Sequence, residues 1–82
     1  MSREEILEIL RADFAHARMK ASVASQHFDE VTSDTPSGLP HPDGAYRIRN
    51  ASIEYAAART ALTFALTRLN SFVIHGTIPN DL

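Results

Sequence analysis

The stretch DFAHARMKASVASQHF, Asp13 to Phe28, decides the fold. Within it Phe14, Ala17, Ala21, Ala24 and Phe28 recur at alternating steps of three and four, the spacing of a helix that packs along another helix. Alanine stands at three of these inward positions, where a packed helix usually shows leucine. That choice makes sense only if something large faces each alanine.

The pattern extends in both directions. Ser2 with Glu5 three residues on is a capping-box signature, and it opens a helix. From there the seam reads Leu7, Leu10, Phe14, Ala17, Ala21, Ala24, Phe28 and Val31. A second window repeats the rhythm with Ile48, Ala51, Tyr55, Ala58, Leu62, Ala65, Leu69 and Phe72. Every glycine and proline falls outside these runs: Pro36, Gly38, Pro40, Pro42 and Gly44 lie between them, Gly76 and Pro79 after them. Asp43 is the expected N-cap of the second helix and Gly76 its left-handed C-cap. The chain therefore reads as one all-α domain over 1–82, an antiparallel two-helix hairpin. Helix one covers about 3–32, a long Pro/Gly loop about 33–44, helix two about 45–75 and a tail 76–82.

Pairing Val31 with Ile48 sets the register. Phe28 then faces Ala51, Ala24 faces Tyr55, Ala17 faces Leu62 and Phe14 faces Ala65, large against small in each layer. Leu10 with Leu69 and Leu7 with Phe72 close the far end. Ala21 with Ala58 is the one small-on-small layer, so the helix axes come closest there. On one edge this register sets Asp13 near Arg68 and His27 near Glu54; on the other, Arg18 near Arg59. A register shifted one heptad towards the loop strands Leu69 and Phe72.

The seam does not use all the apolar residues. Ile9, Ala12, His16, Met19 and Val23 line helix one off the seam; Ile53, Ala57, Ala61 and Phe64 do so on helix two. Burying one such Ile, Val, Met or Phe is worth roughly 1.5–3 kcal/mol, against a typical domain stability of about 5–15 kcal/mol. A chain of this size is marginal alone, and without cysteine it has no disulfide to staple it. The expectation is a homodimer in which two hairpins form a four-helix bundle, or else a different protein that covers the same stripe.

Composition narrows the remaining classes. The formal net charge of −2 exerts no pull towards nucleic acid. Arg59 and Arg68 interrupt the most apolar run, which argues against a membrane span. The acidic start MSREEILEIL is no secretory signal, and together with the lack of cysteine it points to a cytoplasmic protein. No nucleophile sits beside an evident base, so neither catalytic residues nor a cofactor are expected. The expected function is a non-enzymatic dimerisation or protein-interaction module, with loop 33–44 or an Arg18/Arg59 edge that takes an anion or a partner carboxylate. Leu39 and Tyr46 of that connection are candidates to fold over the bundle end, and Ile74, Ile78 and Leu82 to anchor the tail.

Two other chemistries are written in the residues. Asp13 and His16, three apart, with Glu54 on the other helix, resemble the carboxylate–histidine sets of di-iron bundles, which implies a metal- or small-ligand-binding bundle. The run RLNSFVIHG, Arg68 to Gly76, resembles the arginine–histidine motif of the all-helical HEPN ribonucleases. That resemblance implies a minimal ribonuclease in which Arg68 and His75 handle an RNA phosphate at a dimer interface. The plainer alternatives are that Asp13 pairs with Arg68, that His16 is an interface histidine, and that His75 sits at a helix C-terminus capped by Gly76.

Overall fold

The computed structural model describes residues 1–33 and 42–82. Two long helices, α1 (Arg3–Ser33) and α2 (Pro42–His75), pack against each other along their length. The expectations for Leu39 and for most of loop 33–44 lie outside the described residues. The hairpin is a rod of 56 × 17 × 16 Å.

Local chemistry sets the helix ends. The Glu5 amide donates to Ser2 Oγ at 3.1 Å and the Ile6 amide to the Ser2 carbonyl at 3.0 Å, so α1 begins on the expected cap. At the end of α2, Gly76 adopts φ of 71°, a left-handed conformation that costs glycine nothing sterically. There the Gly76 amide reaches the Phe72 carbonyl at 2.9 Å and the Thr77 amide the Ser71 carbonyl at 3.3 Å. The start of α2 corrects the sequence reading. The helix begins at Pro42 rather than near 45, which places Asp43 inside its first turn instead of at the cap. Proline suits a first helical position, because its fixed φ is helical and its missing N–H has no intrahelical partner to lose.

Every seam residue read from the heptads is buried or half-buried. The tightest packing is at the closed end, where Ile6, Leu10 and Phe72 form a buried cluster with Leu7 and Leu69 against it. Phe72, which the shifted register would strand, is thus part of the core. The Arg3 guanidinium lies 5.0 Å from the Phe72 ring centroid and covers it from solvent. Along the middle the buried residues are Ala17, Ala21 and Ala65, and nearer the loop Val31 and Ala51. There the Phe28 and Tyr55 rings of adjoining layers stack with centroids 6.2 Å apart. Tyr46 does not cover the bundle end; it is exposed on the first turns of α2.

A candidate self-association face beside an arginine–carboxylate cluster

Seven-residue steps define the edge on which the polar groups gather. Asp13, Lys20 and His27 on α1 share it with Glu54, Ala61 and Arg68 on α2. Two contacts across the seam establish this. Arg68 Nη1 stands 4.0 Å from Asp13 Oδ2, and Glu54 lines a groove together with Met19, Val23 and His27. The expected Asp13–Arg68 proximity is therefore present.

The apolar stripe runs along the same edge. Ile9, His16 and Val23 each lie four residues before Asp13, Lys20 and His27, while Ala57 and Phe64 each lie three after Glu54 and Ala61. Such neighbours share a helix face. The two stripes thus flank one groove and form one surface. Only Ile9 is half-buried there; Ala12, His16, Met19, Val23, Ile53, Ala57, Ala61 and Phe64 are exposed. Met19 is 68 % exposed and Phe64 61 %, large apolar groups in water on the side away from the packed seam.

Arg68 is the most heavily engaged polar residue on this edge. Its side chain is only 16 % exposed, and its Nη2 donates to Asp81 Oδ1 at 2.7 Å. The same guanidinium lies 5.4 Å from the Phe64 ring centroid. The sequence reading missed Asp81 because a tail carboxylate follows no helical period. It also assigned the tail the wrong anchors. Ile74 and Ile78 are exposed, and Asp81 and the half-buried Pro79 hold the tail against the hairpin, with Leu82 39 % exposed.

The remaining candidates fall apart or stand separately. Asp13, His16 and Glu54 do not come together: among the described residues no group of three His, Asp or Glu side chains is placed to hold a metal ion. Asp13 lies at the level of Arg68, whereas Glu54 lies at that of His27, two heptads or about 21 Å along the axis. Arg68 faces carboxylates, and His75 is exposed at the end of α2, roughly 10 Å of helix rise away. On the opposite edge Arg18 is exposed, and the Arg59 guanidinium lies over the Tyr55 ring at 5.7 Å.

Comparison with known proteins adds no relative. No protein-family model, no curated protein and no solved structure matches the chain. Among the described residues, no helix is long and apolar enough to cross a membrane.

Proposed function

We propose that this chain is a non-enzymatic self-assembly module, in which two hairpins pair with twofold symmetry through the Met19–Val23 and Ile53–Phe64 stripes to make a four-helix bundle. The observation that carries the reading is an inversion of size: the hairpin buries alanines along much of its seam and leaves Met19, Val23, Ile53 and Phe64 in water. Solvated singly such residues mean little, but two apolar stripes flanking one polar groove fit an interface with an apolar contact on each side of a charged row.

Surface area supports a second copy as the occupant. The accessible surface is 6246 Å², whereas a compact monomer of this mass exposes about 4,900 Å². The excess of roughly 1,300 Å² is close to what one protomer of a homodimer buries. The radius of gyration agrees, at 17.4 Å against about 12 Å for a globule of this length. Packing two such rods side by side covers part of that surface and makes the particle less elongated in proportion. Assembly of this kind serves scaffolding or regulation through protein contacts, with Arg18 and Arg59 on the edge that remains free.

The test is the solution mass by light scattering across a wide concentration range. A reversible dimer near 18 kDa is the expected result, from a chain mass of 9.1 kDa. A monomer at every concentration removes the reading and makes the stripe the docking surface of a different protein.

A further inference from the structure

The C-terminal tail has no part in the seam, yet it is fixed in place. Pro79 is half-buried and Asp81 is bonded to Arg68, so two residues pin the segment to the hairpin. The apolar residue just before that anchor turns outward: Ile78 is 56 % exposed, whereas Leu82, at 39 %, is more than half covered. An ion pair with one exposed partner contributes little to folding in water. Its evident consequence is positional, since it decides where Ile78 and Leu82 stand.

That position lies against the assembly edge. The Arg68 guanidinium touches Asp81 on one side and stacks on Phe64 on the other, so one planar group spans from the tail to the largest side chain of the stripe. Arg68 also faces Asp13 across the seam, which fixes this contact on the stripe's edge and away from the Arg18/Arg59 edge. From this we infer that the tail is part of the self-association surface: Ile78, held on the Phe64 side of the hairpin by the Arg68–Asp81 pair, packs on the second copy of the chain. The inference rests on the self-assembly reading above and extends it beyond the helices. A tail serving instead as a strap over the face would bury its isoleucine against the stripe. Here the isoleucine adds to the apolar surface that a partner covers.

Sedimentation equilibrium of the full chain tests this with three variants, each checked for unchanged helix content by circular dichroism. Ile78→Ser removes the apolar contact and Asp81→Ala removes the pin. Val73→Ser is the control, a similarly exposed residue that shares the opposite edge with Arg59 and Leu66 at seven-residue steps. The dimer dissociation constant is expected to rise about tenfold or more for Ile78→Ser, to rise about two- to fivefold for Asp81→Ala, and to stay unchanged for Val73→Ser. A wild-type monomer at all concentrations overturns the self-assembly reading and this inference with it. A wild-type dimer with either tail variant unaffected leaves self-assembly standing and overturns the role of the tail. Tighter association of Asp81→Ala makes the tail a strap, and an equal loss in Val73→Ser makes the effect non-specific; both count against the inference.

Discussion

The two long faces of α1 obey opposite rules. The face against α2 buries Ala17 and Ala21; the face along the free edge leaves Met19 and Val23 in water, although each comes within two residues of a buried alanine. In a helix that packs once the order is reversed, because burial rewards area at about 25 cal/mol per Å². The difference shows that the alanines are there for distance. Small side chains let the axes approach, and in the proposed assembly the large apolar groups serve the contact between hairpins. At the closed end, where Ile6, Leu10 and Phe72 meet, the ordinary rule returns.

The largest expected effect comes from that closed end. Leu10 is 1 % exposed, and Leu10→Ala opens a cavity where the hairpin has its densest apolar packing. A loss of about 2–5 kcal/mol in the free energy of urea unfolding is expected. A loss below roughly 1 kcal/mol would mean that the cluster is not the anchor of the fold. Next in size is Ala21→Leu, at a buried seam alanine whose expected partner, Ala58, is also small. Leucine is nearly as good a helix former as alanine, so the substitution tests space rather than propensity. Overpacking is expected to cost about 1–3 kcal/mol. A neutral or stabilising outcome would break the comparison, since the seam alanines would then have no spacing role.

How much of this was legible from the residues depends on the range of the interaction involved. The caps at Ser2 and Gly76 are local chemistry, and a few letters suffice to read them. The register could be read because Phe14, Phe28 and Tyr55 each require a small partner, and alternation of large and small fits only a few alignments. Alanine alone was a poor guide: Ala12, Ala15, Ala56 and Ala57 are exposed, where helix propensity explains them as well as any packing does. Ile6 was missed because it falls beside the seam rather than on it. Its position one turn before Leu10, at the end where Phe72 is large enough to reach it, was the available signal. Pro42 among loop-like residues hid the true start of α2. The Arg68–Asp81 pair joins residues thirteen apart across a helix end, which no periodicity announces.

The smallest effect on the fold, and the one that most sharpens the comparison, is expected from Phe64→Ser. Phe64 is among the largest side chains in the chain, yet the hairpin leaves most of it in water and stacks only the Arg68 guanidinium on its ring. Removing it therefore takes little from the monomer, within about 0.5 kcal/mol of wild-type stability and with helix content unchanged by circular dichroism. Removing it from a paired face deletes one aromatic anchor from each protomer, and the dimer is expected to weaken by more than about tenfold. The ratio of the two effects carries the argument. If helix content falls along with assembly, the stripe holds the hairpin together and the division between the faces is wrong. If the dimer persists undiminished, the pairing surface lies elsewhere, and the Arg18/Arg59 edge with its exposed Leu66 and Val73 becomes the next place to look.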